Sequence, residues 1–472
     1  MATVSIDQKP LYRTLPIGQQ VIFAVSENTI VATMYKVKFV AEVRVSSLAG
    51  INPNVATELI GTFKTTPNNA GVGIFDLRSI LETFVKPDNE PFLSSFSVSE
   101  YKGTPATTQM FPVHLVDKYT LSSNSVRFFA VRFLVEYSIT STGTVVTPTN
   151  EVDSTEYIMF NGVLQYNDVL TLNSGNYGYD LQEVELTDDG SQFLSNAPTT
   201  QYARLTDYGT LPFLSYIPVT STPATSVNVD KITIKYYDSD GVLIPATTDQ
   251  IDNIPSNGGE NFGIDANERL QYFGAFPANL KNWSANFATA VAADLSYYTV
   301  QAENSTGIVS TIYTINIICP NERGYEGIRL TWLNQWGVWD YYTFNMKSTK
   351  SIKTKRISYT QMEGTWNEST FRIADYKGGK KNFKVNSTER IKINTDFVTE
   401  AEGVWFEELI NSNEVYIVNG FSADTANTIT NKYIEPVTLR TSSYTRKTIA
   451  NDRLMQYKFE IEKTRTKRTQ SV

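Results

Sequence analysis

Hydrophobic and polar residues alternate with a period of two over much of this chain. In residues 36–45, Val37, Phe39, Ala41, Val43 and Val45 alternate with Lys36, Lys38, Glu42 and Arg44, and only Val40 breaks the pattern. Successive side chains of a strand point to opposite faces, so this marks a strand with one wet face. The same reading predicts strands over 59–64, 111–116, 126–137, 213–218, 231–237, 297–302 and 311–319, and again over 328–334, 340–344, 414–418, 434–439 and 454–462. The period lengthens at 75–86, where Leu77, Ile80, Leu81 and Phe84 fall at i, i+3, i+4 and i+7. That spacing predicts a helix, with Asp76 as its N-cap and Lys86-Pro87 as its stop. Trp405, Leu409 and Ile410 suggest a second, short helix.

Turn chemistry punctuates these runs. Asn161-Gly162 is a hairpin signal, and the segment Asp238 to Gly241 fits a tight hairpin. Residues 246–262, with Asn253, Pro255, Gly258 and Gly259, read as an exposed loop. The elements predict a mainly β protein with one or two short helices, built as several β-sandwich or barrel-like modules. A length of 472 residues suggests about three domains of roughly 150 residues each. We expect an N-terminal β-rich domain over 1–180 that carries the helix near 75–86, and a sandwich-like middle domain over 181–319. A basic, β-rich C-terminal domain over 320–472 would end in a flexible tail.

Composition sharpens this picture. The chain has 27 Tyr, 25 Phe and 6 Trp, residues that suit a pleated, half-buried surface and protein interfaces alike. Its net charge of −8 is unevenly spread. Residues 345–472 hold 22 Lys and Arg against 15 Asp and Glu, a net +7, while residues 1–344 hold 19 against 34, a net −15. Such a polarised chain suits head-to-tail stacking with copies of itself or with neighbours.

Little in the sequence points to catalysis or cofactors. The chain has one His and one Cys, so no disulfide can form within it and a His/Cys zinc set is not expected. His114 sits among apolar neighbours in 111–116 and reads as part of a strand face rather than as a general base. Gly71 and Gly73 before the predicted helix lack the Lys-Ser/Thr pair of a phosphate loop. Asp238 to Gly241 lacks the final Glu of a calcium loop. No enzyme activity, cofactor or metal is therefore expected. No run of 18 apolar residues suggests a membrane span, and the N-terminal residues lack the basic and apolar regions of a secretion signal. The basic C-terminal third carries no nucleic-acid recognition motif, and nucleic acid is not expected as a partner.

Two segments carry a resemblance. One comprises residues 10–25, 36–43 and 60–76, and includes Thr65-Thr-Pro-Asn-Asn-Ala-Gly-Val-Gly-Ile-Phe-Asp76. The other is Arg329-Leu-Thr-Trp-Leu-Asn-Gln-Trp-Gly-Val-Trp-Asp-Tyr-Tyr-Thr-Phe344. Both resemble uncharacterised virion structural proteins of tailed bacteriophages, over about the first 135 residues and over 320–470. The resemblance implies a structural subunit of the tail or baseplate, assembled in the host cytoplasm in several copies. Its partners would be other virion proteins and copies of itself. The alternative is a receptor-binding or capsid-surface decoration protein, with a host glycan or a protein as its ligand. In the second segment Trp332, Trp336, Trp339, Tyr341 and Tyr342 crowd a hairpin around Gly337. Those pointing inward would form a core, and the others are candidate partner-interface residues. Lys463, Arg465, Lys467 and Arg468 in the basic tail are candidate electrostatic contacts.

Overall fold

Most of the alternating runs become strands of five sheets, linked by a few short helices, in a computed structural model. It describes residues 4–54, 58–90, 112–147, 151–165, 184–186, 191–215, 229–253, 268–318, 324–419, 434–447 and 455–468. The chain is mainly β, as the two-residue period predicted. The sheets stack as sandwiches, and no barrel closes among the described residues. No helix among these residues is long and apolar enough to cross a membrane, which says nothing of strands.

Two compact units are present. The larger comprises residues 1–318 with 333–340 and 420–430, and the smaller 319–332 with 341–419 and 431–472. In the larger unit, strands Ser5–Gln8, Ile22–Ser26 and Val72–Asp76 form a small sheet. It faces a six-stranded sheet centred on Tyr35–Ser46 and Val126–Ser138. Rings fill the space between them: Phe23 lies 5.3 Å from Phe133, and Phe75 lies 5.6 Å from Phe133. Val25, Phe39, Ala41 and Val43 are wholly buried in the same core. A four-stranded sheet then takes strands from both of the stretches expected as separate domains. Tyr119–Leu121 pairs with Leu270–Phe273, which pairs with Leu211–Ser215. A further six-stranded sheet is built on Lys231–Tyr237 and Tyr297–Asn304.

Several local expectations are corrected. Phe75 and Asp76 belong to the strand Val72–Asp76, because Ile22–Ser26 pairs with it. The helix is therefore only Arg78–Leu81, followed by a 3-10 turn Glu82–Phe84, and Leu77 is its N-cap residue. Asp76 still accepts from Arg78 N at 3.1 Å. His114 is not on a strand: Val113–Leu115 is a 3-10 turn, entered through the extended backbone of Pro112. Asn161-Gly162 makes no hairpin, since the preceding strand Tyr157–Phe160 pairs in parallel with Thr14–Pro16. Leu243–Asp252 continues as a strand through part of the expected loop, while 254–262 lies outside the described residues. Helices Asn28–Thr33, Pro277–Lys281 and Ala285–Ala292 had no counterpart in the sequence reading.

Buried polar side chains tie the irregular segments of the larger unit together. Asn279 Nδ2 donates to the carbonyls of His114 at 3.1 Å and Val116 at 2.6 Å, and its Oδ1 accepts from Gly209 N at 2.9 Å. Asp88 is fully buried. Its Oδ1 accepts from Ser123 N at 2.9 Å and Asn124 N at 2.6 Å, and its Oδ2 from Tyr272 Oη at 3.0 Å. Burial pushes the Asp88 carboxyl up from its ordinary range, and hydrogen bonds from Asn124, Ser125, Ser122 and Ser123 only partly oppose this.

The smaller unit is one eight-stranded antiparallel sheet with the helix Glu400–Asn411 on one face. Thr399 and Glu402 close a capping box at the helix start. The helix presents Trp405 and Phe406 to the sheet, where Trp332 lies 4.8 Å from Trp405 and Phe459 5.7 Å from Phe406. Gly403 has no side chain because Tyr457 occupies the space, with its hydroxyl 2.7 Å from where a Cβ would lie.

Two outcomes follow from this packing. Trp332→Ala removes a fully buried indole and should cost the smaller unit about 3–5 kcal/mol, read as a lower urea midpoint. Asp88→Asn keeps an acceptor for both amides and offers a donor to Tyr272. A carboxyl whose pKa is higher folded than unfolded stabilises below the unfolded value and loses that contribution as pH rises through the folded one. Wild type should therefore lose stability relative to Asp88→Asn as pH rises above the ordinary carboxylate range, read by urea unfolding across a pH series.

Candidate functional site

The aromatic hairpin expected as an interface lies in the chain's own interior. Trp332 and Trp339 are wholly covered, and Trp336 and Tyr341 nearly so. Trp339 Nε1 donates to the carbonyl of Asp88 at 2.7 Å, and its ring meets His114 edge-on at 5.0 Å. Trp336 Nε1 donates to Asn196 Oδ1 at 3.3 Å. Gly337, at φ 71°, lies where any Cβ would strike the Asn161 carbonyl. Tyr341 stacks under the buried Arg329 guanidinium at 5.2 Å. Tyr342 is half-buried against Phe406 at 4.9 Å, and burial raises its hydroxyl pKa. Trp332, Trp336, Trp339 and Tyr341 are thus taken up by packing, and of the five only Tyr342 keeps partial exposure.

The tail cations also have local uses. Lys463 pairs with Glu435 at 3.0 Å and Glu389 at 3.9 Å, and Lys467 pairs with Glu389 at 3.7 Å. The tail is not wholly free, since Lys467–Arg468 forms a short strand against Asn386 and Ser387. Arg465 is exposed, and the Arg468 side chain and Cys319 lie outside the described residues.

The prominent exposed feature includes residues 347–356, a basic stretch of strand-like composition to which the sequence alone assigned no role. Strands Thr349–Gln361 and Gly379–Asn394 pair antiparallel along a long ribbon. At its root the ribbon belongs to the eight-stranded sheet: residues 390–394 pair with Lys458–Lys463, and Ile391 and Ile393 are buried. Further out, only Asn386 and Ser387 have a third strand beside them. From Arg356 and its partner Val385 outward the ribbon is two strands alone, for roughly 20 Å at about 3.3 Å per residue. Phe383 is an extra residue between Lys384 and Asn382 at a bulge opposite Ile357 and Ser358.

The tip, residues 362–378, folds back on itself. Thr365 N donates to Arg372 O at 3.0 Å, Ala374 N to Glu363 O at 3.3 Å, and Lys377 N to Ala374 O at 3.0 Å. These bonds present Trp366, Phe371, Ile373 and Tyr376 outward. Trp366 is 79% exposed, and Ile373 and Tyr376 are each 75% exposed. They are the most exposed large apolar side chains among the described residues.

Charge on the ribbon is one-sided. Residues 349–361 and 379–388 contain seven Lys and Arg and no Asp or Glu. The register puts Lys353, Lys355, Lys384 and Lys381 on one face, together with Ile357 and Tyr359. Carboxylates lie at the root, where Arg390 pairs with Glu462 at 2.7 Å, Lys392 with Glu460 at 3.9 Å and Lys350 with Glu326 at 2.7 Å, and in the tip, which holds Glu363, Glu368 and Asp375. An exposed ribbon with large apolar side chains at its tip and a cationic face is chemically suited to docking, since exposed apolar groups favour a covering partner. The available sequence signal was a long strand whose sparse apolar residues, Ile352 and Ile357, never form a buried stripe.

No protein-family model matches the chain. No curated protein matches it. Among solved structures it is similar to native E. coli alpha-2-macroglobulin at 8% identity and a TM-score of 0.18, over 82% of this chain and 22% of that one. The chain spans about a fifth of that protein's length, and likeness at this level carries no argument.

Of the six Trp, only Trp366 is exposed. Trp366→Phe should abolish most iodide-quenchable tryptophan emission and shift stability by less than about 0.5 kcal/mol, because the side chain has little to pack against.

Proposed function

We propose that this chain is a structural subunit acting by multi-copy protein–protein assembly, in the tail or baseplate of a tailed-phage virion. The observation that carries the assembly reading is the ribbon of residues 349–394. It is built at length with both faces wet beyond its root, and its tip offers Trp366, Phe371, Ile373 and Tyr376 to a partner. A lone two-stranded ribbon is only marginally stable in water, so one held out from a sheet is suited to completion by another protein. The virion setting is supported by the resemblance of residues 10–76 and 329–344 to tailed-phage structural proteins. In this reading the subunit works through buried area and charge, and no bond is made or broken.

Light scattering on the purified full chain, over a concentration series, tests the reading. Discrete rings or growing chains are expected, also visible by negative-stain electron microscopy. A monomer at every concentration would overturn it.

A further inference from the structure

We propose that the ribbon of one copy docks on the acidic larger unit of a second copy, so that the chain assembles head to tail. This rests on the assembly reading above and names its partner. The larger unit's residues hold 17 Lys and Arg against 33 Asp and Glu, a net −16. Those of the smaller unit hold 24 against 16, a net +8. The positive excess is concentrated on the ribbon, whose residues 349–394 hold 11 Lys and Arg against 4 Asp and Glu, a net +7; Lys350, near the root, pairs with Glu326 at 2.7 Å. Lys353 and Lys355 are exposed and Lys384 is half-exposed, and no hydrogen bond or ion pair engages their ammonium groups among the described residues. Opposite potentials on two parts of one chain attract between copies and steer their encounter.

The same charges exclude the simplest symmetric alternative. Thr349–Gln361 is the edge strand of its sheet, and an edge of this length is a template for strand addition. Pairing two such edges across a two-fold axis would set Lys350, Lys353, Lys355 and Arg356 of one copy against the same residues of the other. Like charges directly opposite are destabilising, so the ribbon meets a different surface of its neighbour. A contact between unlike surfaces closes into a ring or runs on as a filament, according to its rotation. The aromatic tip then supplies the apolar anchor and the lysines supply register and salt sensitivity.

Carbodiimide cross-linking of a mixture of isotope-labelled and unlabelled full-length chains tests this. Mixed-isotope links from Lys353, Lys355 or Lys384 to Asp or Glu of the larger unit are expected at about 50 mM salt and should fade at about 500 mM. The triple variant Lys353→Glu/Lys355→Glu/Lys384→Glu should self-associate at least about tenfold more weakly, with an unchanged circular dichroism spectrum. If the wild type assembles and the variant assembles equally well, ribbon docking is overturned while the assembly reading stands. Links confined to other surfaces would overturn it in the same way. So would ribbon-dependent binding of a single-stranded DNA oligonucleotide without any link between copies. If the variant loses its spectrum, the wild-type cross-links and their salt dependence decide alone.

Discussion

A two-stranded ribbon with two wet faces has no core, so everything that holds it must act at its root. Here one strand plays both parts. Gly379–Asn394 is exposed or half-exposed along most of its length and then buries Ile391 and Ile393 beside Phe459 and Ile461. Those residues share the sheet covered by Trp405 and Phe406 of the helix Glu400–Asn411. A ladder of ion pairs, Arg390 with Glu460 and Glu462 and Lys463 with Glu389 and Glu435, fastens the strands where they enter the sheet. Each such pair is worth at most about 1 kcal/mol at an exposed site, so the apolar packing holds the root and the ions set its register.

This division of labour explains where the chain places its charge. On the paired strands carboxylates are confined to the root, where they satisfy neighbouring cations, and the tip adds Glu363, Glu368 and Asp375. Beyond it the strands carry Lys and Arg alone, which keeps a long bare edge from pairing with its own kind. The apolar residues omitted from the ribbon's faces reappear at the tip as Trp366, Phe371, Ile373 and Tyr376. Two such edges set side by side would place like charges against each other.

The larger unit meets a different demand. Its sheets are joined by irregular segments whose backbone groups are cut off from water. Buried polar groups need partners, and Asn279, Asp88 and Trp339 Nε1 provide them. The aromatic hairpin that drew attention in the sequence is used in this way. Its indoles fill space, and the Nε1–H groups of Trp339 and Trp336 satisfy a carbonyl and an amide oxygen.

The sequence by itself determined that the protein is β-rich, because side-chain alternation is a local property that needs no knowledge of neighbours. Residues 36–45 and 126–137 became strands for that reason, and Trp405, Leu409 and Ile410 marked a real helix. The split between an acidic majority and a basic C-terminal third was equally legible. Only the tertiary structure decided which aromatics are inside. Density of rings shows that something must pack, while the choice between a core and a partner depends on elements far away in sequence, such as Asp88 and His114 against Trp339. It also decided that 349–361 leaves its sheet. A Lys- and Thr-rich strand looks the same whether a third strand lies beside it or not, and here that neighbour, Lys458–Lys463, reaches only residues 390–394 of its partner.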